Sequence, residues 1–187
     1  KKIINLINYY GGKVIKTNKR HQNGTSRAGE AVKKINCSHV VILFADEPLI
    51  EPEVLEKFVK IIRNTNVDVW NATSKIKNIS ELKKKSIVKC VVDKNNKIID
   101  LKRFINHQIY KKKNLKILKS VGIFCFKKNI LLKILKMKSS IRERKEKIEQ
   151  LKFLQNNLKI HSAEIQTKYF SINNKRELNK CLHLFKR

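Results

Sequence analysis

Apolar residues recur along this chain in two periods, one typical of helices and one typical of strands. Residues 1–10 place isoleucines, a leucine and a tyrosine at helical spacing, and Gly11 and Gly12 then predict the end of that helix. The run at 40–44 is apolar and rich in β-branched residues, a pattern typical of a buried parallel strand. The chain therefore predicts helices and strands in alternation.

The same reasoning extends the alternation to the end of the chain. In the first half it predicts a strand at 13–17, a polar loop at 21–27, helices at 28–35 and 52–64, and a strand at 67–72. In the second half it predicts a hairpin of strands at 87–92 and 97–101, strands at 117–126 and 160–165, and helices at 128–138, 143–157 and 175–185. These elements predict a mixed α/β fold over 1–187 as a single domain, with a mostly parallel sheet sandwiched by helices in a Rossmann-like arrangement.

The chain is strongly basic, with 44 lysines and arginines against 15 acidic residues and a formal charge of +29. Such a charge favours weak attraction to polyanions. However, the lysine runs at 83–85 and 111–113 are not interleaved with aromatic residues, as a stacking surface for nucleic acid requires. A basic nucleic-acid-binding module is therefore a remote alternative, and we expect no specific nucleic-acid partner.

The chain carries no sign of membrane insertion or secretion. No apolar stretch approaches the roughly 20 residues that span a bilayer, and the first residues lack the pattern of a secretory signal. The four cysteines, Cys37, Cys90, Cys125 and Cys181, are far apart and form no CxxC pair, which disfavours zinc and a disulfide framework. We expect a cytoplasmic protein with reduced thiols.

Asp46 is the first candidate for chemistry, because it follows the predicted strand at 40–44 almost directly. Open α/β sheets bind ligands at the carboxyl ends of their strands, and an acid there usually holds a metal ion or a ribose. The alternative is that Asp46 caps the turn into the helix that begins near Pro52. The local residues leave both interpretations open.

Several short motifs follow one another along the whole chain. They are GGKV at 11–14, HQNGTSR at 21–27, DEPLI at 46–50, SIVKCVVD at 86–93, VGIF at 121–124, EQLK at 149–152 and KIH at 159–161. In this order they resemble the 3-deoxy-manno-octulosonate cytidylyltransferases, also called CMP-KDO synthetases. The resemblance implies the nucleotide-diphospho-sugar transferase fold, with a β-hairpin excursion at about 87–126 that forms a homodimer.

The resemblance also implies a reaction. CTP and the sugar acid 3-deoxy-D-manno-octulosonate (KDO) would give CMP-KDO and pyrophosphate for lipopolysaccharide biosynthesis. Magnesium would be required, with Asp46 as the catalytic residue and a metal ligand. The implied nucleotide-binding residues are His21, Gln22, Gly24, Thr25 and Arg27.

The sugar acid has its own implied residues. Arg103 would bind the carboxylate of KDO in two-point fashion, and Glu149 and Gln150 would bind hydroxyl groups. Asn173 aligns with the family's second metal-binding aspartate and would be a weaker second magnesium ligand, because it lacks the negative charge.

The chain departs from the family pattern at several positions. Phe44 and Ala45 replace a glutamine and a glycine, Ser120 and Phe124 replace a histidine and a tyrosine, and Asn173 replaces an aspartate. The family's amino-terminal segment, IPARxxSxRxPxKxL, has no counterpart in these residues, so we expect poor triphosphate binding without it. Two alternatives follow: a catalytically impaired homologue that acts as a dimerising or regulatory partner, and a synthetase for CMP-linked sialic or other nonulosonic acids.

Overall fold

The computed structural model describes residues 2–18, 20–63, 67–105, 114–166 and 170–185, which form one sheet with helices against both faces. The helices are α1 Lys2–Tyr9, α2 Gly24–Ala31, α3 Pro52–Arg63, α4 Ile79–Lys83, α5 Lys128–Ile134, α6 Ile141–Glu146, α7 Gln150–Gln155 and α8 Lys175–Phe185. The strands are β1 His39–Leu43, β2 Val69–Lys75, β3 Lys89–Val92, β4 Ile98–Lys102, β5 Lys116–Lys127 and β6 Ile160–Glu164.

Strand β5 lies at the centre of the sheet and pairs with three other strands. The sheet order is β4-β3-β5-β2-β6, and β1 pairs with the second half of β5 on the side where β3 pairs with the first half. These pairings and that of β3 with β4 are antiparallel, and among the described strands β2 and β6 form the parallel pair. The mixed α/β fold is confirmed, but the expectation of a mostly parallel sheet is wrong, because the central strand runs opposite to its neighbours.

Alternating side chains of the strands build a core on each face of the sheet. On one face, Phe126 of β5 packs with Leu131 of α5 and Phe153 of α7. On the other face, Ile123 of β5 packs with Phe58 of α3. Apolar burial therefore holds the helices to both faces of the sheet.

The first half of the chain differs from prediction in two places. Residues 13–17 form no strand. Helix α2 begins at Gly24, within the predicted loop, because the Asn23 side chain accepts the Ser26 N–H at 2.8 Å and closes a capping box with Ser26. Such a cap satisfies backbone donors at a helix start, so the polar motif forms the first turn of a helix.

The second half differs in its charged helix. The predicted helix at 143–157 is two helices, α6 and α7, since Lys147 has a left-handed φ of 53° that ends α6. The structure also adds the short helix α4, which Asn78 caps. The hairpin of β3 and β4 and the final helix α8 are confirmed.

Two further expectations concern surfaces. Among the described helices, none is both long and apolar enough to cross a bilayer. Part of the expected dimerisation region, 106–113, lies outside the described residues. In the rest of that region, Ile99 of β4 and Phe104 just after β4 expose large apolar side chains.

Candidate active site

A cavity of about 910 Å³ opens where β1 ends, between the start of α2, the middle of β5, the junction of α6 and α7, and the residues just before α8. Six of the chain's 15 acidic residues line it: Asp46, Glu47, Glu81, Glu143, Glu149 and Glu177. The basic residues of its wall are Lys84, Arg103, Lys119, Arg144 and Lys147. Such a concentration of acids is unusual in a chain with a charge of +29. The acidic residues suit the hydroxyl groups of a ligand or a bound cation, and the basic residues suit its anionic groups.

The two acids that follow β1 have different surroundings. Asp46 is exposed at the cavity, and its backbone carbonyl accepts the Ile172 N–H at 2.8 Å. Glu47 is 9% exposed, and its Oε1 accepts the Gly122 N–H at 2.9 Å and the Ser171 hydroxyl at 2.5 Å. Glu47 therefore ties three parts of the wall together, whereas the Asp46 carboxylate remains open to a ligand.

Only some residues of the HQNGTSR motif line the cavity. Gln22 lines the cavity with an exposed side chain. The His21 Nε2 atom lies 2.5 Å from Oε2 of Glu30, and Arg27 donates to the Thr17 hydroxyl at 2.6 Å. His21 and Arg27 thus hold the loop to its neighbours and do not line the cavity.

Thr25 does not line the cavity, but it contacts Glu149, which does. It is buried, and its hydroxyl donates to Oε1 of Glu149. Oε2 of Glu149 is also buried and has no hydrogen-bond partner among the described residues. Burial raises the pKa of Glu149, and the Thr25 hydrogen bond opposes that rise. The wall therefore holds a carboxyl group with one oxygen available to a donor such as a sugar hydroxyl.

A buried ion pair of Lys152 and Glu143 interacts with Glu149. The Lys152 Nζ lies 3.8 Å from Oε1 of Glu143, and these two side chains are 7% and 9% exposed. Glu143 also closes a capping box with Ser140 at the start of α6. Gln150 is buried and lines the cavity beside Glu149. The break between α6 and α7 therefore places Glu149 and Gln150 at the cavity, close to a buried ion pair.

Arg103 lines the cavity, but backbone carbonyls occupy most of its donors. Its Nε donates to the carbonyl of Glu146 at 3.2 Å, and its Nη2 to that of Lys147 at 2.9 Å. Its Nη1 donates to the carbonyls of Lys85 and Ser86 at 3.1 and 3.2 Å. A guanidinium has five N–H donors, so a two-point grip on a substrate carboxylate would require at least one of these bonds to break.

Lys89 is a second cation that binds the backbone beside the cavity. It is fully buried on β3, and its ammonium donates to the carbonyls of Lys84, Ile87 and Arg103 at 2.6, 2.9 and 2.7 Å. Burial, and then the charge of Arg103, lowers the pKa of Lys89 to about 8. Lys89 and Arg103 together hold the wall at 84–87 in place.

Lys119 of β5 and Glu81 of α4 form an ion pair in the cavity wall. The Nζ and Oε1 atoms are 3.0 Å apart, and the side chains are 14% and 12% exposed. Glu81 also accepts the Lys77 N–H at 2.8 Å through Oε2. Burial acts to raise the pKa of Glu81, but the hydrogen bonds from Lys77 and Lys119 outweigh it, so the pKa lies below its usual value. Glu81 is therefore ionised at neutral pH.

Asn173 lies at the cavity together with Asp46. Its Nδ2 donates to the Ser171 carbonyl at 3.1 Å, and its N–H donates to Glu177 at 2.7 Å, so neither contact uses the amide oxygen. Across the described ranges, no group of three or more histidine, cysteine, aspartate or glutamate residues is placed to hold a metal ion. Asp46 and Asn173 each bring a side chain with an oxygen atom to the cavity, and oxygen is the ligand type that hard cations such as Mg²⁺ prefer.

Most of the positions that depart from the family pattern, Phe44, Ser120, Phe124 and Asn173, line the cavity. Phe44 packs against Phe124 with ring centroids 5.5 Å apart, which makes this part of the cavity apolar. A Cβ on Gly24 would lie 3.1 Å from the Phe44 ring, so glycine permits the close approach. The Ser120 hydroxyl donates to Oδ1 of Asn71 at 3.2 Å.

Many residues of the wall were not among the predicted site residues, and Glu47, Glu81 and Lys119 are the ones whose contacts matter most here. Glu47 stands in the same motif as Asp46, but its role as an acceptor depends on Gly122, 75 residues later. The pair of Glu81 and Lys119 joins residues 38 positions apart and has no local signal in the sequence.

Comparison with known protein sequences shows similarity along nearly the whole chain. The profile of a family described as Cytidylyltransferase matches residues 1–162. The 3-deoxy-manno-octulosonate cytidylyltransferase of Fusobacterium nucleatum is 32% identical, over 99% of this chain and 76% of that protein. The protein of the same name from Thermodesulfovibrio yellowstonii is 29% identical, over 98% of this chain and 79% of that protein.

Solved structures show the same fold. The structure of a CMP:2-keto-3-deoxy-manno-octonic acid synthetase complexed with CTP matches with a TM-score of 0.89 and 25% identity, over 99% of this chain and 77% of that one. An inositol-1-phosphate CTP transferase from T. maritima matches with a TM-score of 0.65 and 15% identity, over 97% of this chain and 69% of that one. The second likeness concerns the fold alone.

Proposed function

This chain belongs to the cytidylyltransferase family, and from that membership we propose that it activates KDO, converting CTP and KDO to CMP-KDO and pyrophosphate for lipopolysaccharide synthesis. One observation carries the proposal. Residues from five separate parts of the chain, each implied by the family resemblance, line a single cavity. They are Gln22, Asp46, Arg103, Glu149 and Asn173.

The reaction joins the anomeric hydroxyl oxygen of KDO to the α-phosphorus of CTP. The bond from that phosphorus to the oxygen bridging the β-phosphorus breaks, pyrophosphate leaves with the electron pair, and the hydroxyl proton passes to a base or to water. Asp46 is the exposed carboxylate at the strand end and our candidate for the catalytic residue. Asp46 and Asn173 would hold Mg²⁺, which when bound offsets the negative charge of the triphosphate.

The nucleotide and the sugar acid would bind to two different walls of the cavity. Gln22 and Gly24, at the start of α2, would contact the nucleotide. Glu149 and Gln150, at the start of α7, would bind sugar hydroxyls, since Oε2 of Glu149 is a buried acceptor without a partner among the described residues. Thr25 would act by holding Glu149 in position.

We also propose a cytoplasmic homodimer, as the family resemblance implies. The apolar side chains of Ile99 and Phe104, 43% and 59% exposed, would support such an interface near β4. Sedimentation velocity at several concentrations measures the oligomeric state. A monomer at every concentration would refute the dimer.

The test of the activity is release of pyrophosphate from CTP with Mg²⁺ and KDO. It uses this chain and, if the gene encodes residues before Lys1, the extended chain as well. Turnover that Asp46→Asn abolishes and Asp68→Asn preserves would support the proposal, since Asp68 does not line the cavity.

Other outcomes of this assay favour the alternatives. Turnover with N-acetylneuraminate but not with KDO would indicate a synthetase for nonulosonic acids. Binding of CTP and KDO without turnover would favour a catalytically impaired homologue, which the apolar wall at Phe44 makes the second candidate. Absence of both binding and turnover would contradict the proposal.

A further inference from the structure

We propose that the ion pair of Lys119 and Glu81 is the subsite that recognises the substrate as a hydroxy acid, an inference that rests on the proposed function. Lys119 would donate to the carboxylate of the sugar acid, and Glu81 would accept a neighbouring hydroxyl group. Both residues line the cavity. Neither stands in a motif that carries the family resemblance.

The first argument is the supply of hydrogen-bond donors. The Lys119 ammonium has three N–H groups, and among the described residues Glu81 accepts one of them. Arg103 places four hydrogen bonds on backbone carbonyls. The other basic residues of the wall are exposed to water: Lys84, Arg144 and Lys147. Lys119 is therefore mostly buried and, within the described wall, keeps two N–H donors for a carboxylate.

The second argument is the rigid position of the pair. Lys119 lies on the central strand β5, where its backbone pairs with Lys89 of β3. The Lys77 N–H holds Glu81 from the other side at 2.8 Å. Groups that are already fixed lose little entropy when a ligand binds, so such a pair favours affinity.

The third argument is the charge pattern. A wall with a cation alone would attract any anion, including free phosphate. A cation next to an ionised carboxylate instead favours a ligand that presents an acid and a hydroxyl donor side by side, and it repels a ligand with two adjacent negative charges. KDO carries its carboxylate and its anomeric hydroxyl on the same carbon.

The test compares Lys119→Met with Lys116→Met. Lys116 lies on the same strand and is exposed, and it does not line the cavity, so the two variants lose the same charge at different places. Calorimetry measures the affinities for KDO and CTP separately. We expect Lys119→Met to weaken KDO binding by about tenfold and to leave CTP binding within about twofold, with Lys116→Met close to wild type in both.

The methyl ester of KDO supplies an independent arm, because it keeps the hydroxyl groups and lacks the charge. The wild-type chain is expected to bind the ester about tenfold more weakly than the acid, whereas Lys119→Met is expected to bind the two alike. The double variant Lys119→Met with Glu81→Gln removes both charges of the pair, so Glu81 is not left as a mostly buried charge without its partner. It separates the loss of the Lys119 donors from the cost of an unpaired Glu81. We expect it to show the same loss of KDO affinity as Lys119→Met.

The outcomes separate the two proposals. If the wild-type chain binds CTP and KDO but Lys119→Met binds KDO equally well, or loses CTP affinity to the same degree, the subsite is overturned and the proposed function stands. If the wild-type chain binds neither CTP nor KDO, the proposed function and the subsite are overturned together.

Discussion

The backbone N–H of Gly122 donates to Oε1 of Glu47 at 2.9 Å, across 75 residues of sequence. The same oxygen accepts the Ser171 hydroxyl at 2.5 Å. One buried carboxylate thus joins the end of β1, the middle of β5 and the segment before α8. The contact also explains glycine at position 122, because an added Cβ would lie 2.8 Å from Cγ of Glu47.

Substitution of Gly122 tests this contact. We expect Gly122→Ala to lower the free energy of unfolding by about 1–3 kcal/mol, since the methyl group overpacks against Glu47. In a Glu47→Ala background the cost of Gly122→Ala should fall, because the clashing side chain is absent. Urea denaturation of the four proteins measures the coupling, and strictly additive effects would show that the two residues do not meet.

Thr25 tests the support of Glu149. We expect Thr25→Val to lower the free energy of unfolding by about 1–3 kcal/mol at neutral pH, because it leaves the buried carboxyl group of Glu149 without its hydrogen-bond donor. Thr25→Ser keeps the hydroxyl and is the matched control.

The pH dependence of the Thr25→Val effect follows from the pKa of Glu149, which is raised in the folded protein. The folded state then holds the proton more tightly than the unfolded state, so the cost of the charged form is full above the folded pKa and shrinks as the pH falls from there to the unfolded pKa. The effect of Thr25→Val should therefore be smaller at about pH 5 than at about pH 8. An effect that grows toward acid pH would contradict the role of Thr25 as a donor to the carboxylate.

Lys89 is expected to change the stability with pH in the direction opposite to that of Glu149. Its pKa is lowered from 10.5 to about 8, so between these values the unfolded state binds more protons and stability rises with pH. We expect the wild-type chain to gain on the order of 1–3 kcal/mol across this range relative to Lys89→Met. Urea denaturation at several pH values measures the difference. Lys116→Met, an exposed lysine on a strand, should follow the wild type.

Asn173 tests the proposed magnesium site. We expect Asn173→Asp to tighten Mg²⁺ binding in the presence of CTP, because it adds a carboxylate beside Asp46, and Asp46→Asn to weaken it. Titration of Mg²⁺ at constant CTP measures both. Asn174→Asp adds the same charge one residue away, at a position that caps α8 and does not line the cavity. Equal effects of the two aspartates would indicate long-range charge rather than coordination.

Local patterns were sufficient for most of the elements. Helical spacing predicted α3 and α8, and the turn between two β-rich runs predicted the hairpin of β3 and β4. The start of α2 was misplaced by four residues, because the Asn23 cap converts a polar loop into a helical turn. The break at Lys147 was missed, since a left-handed residue inside a charged, helix-favouring run has no apolar signature.

The sequence by itself determined the succession of elements, the family and several residues of the cavity wall, because periodicity and short motifs lie within a few neighbouring residues. The tertiary structure decided the direction of the strands around β5, the occupied donors of Arg103, the buried link of Glu47 to Gly122, and the ion pair of Glu81 with Lys119. Each of these depends on groups far apart along the chain. Their distances, and the burial that gives their charges weight, exist only after the sheet and its helices have packed together.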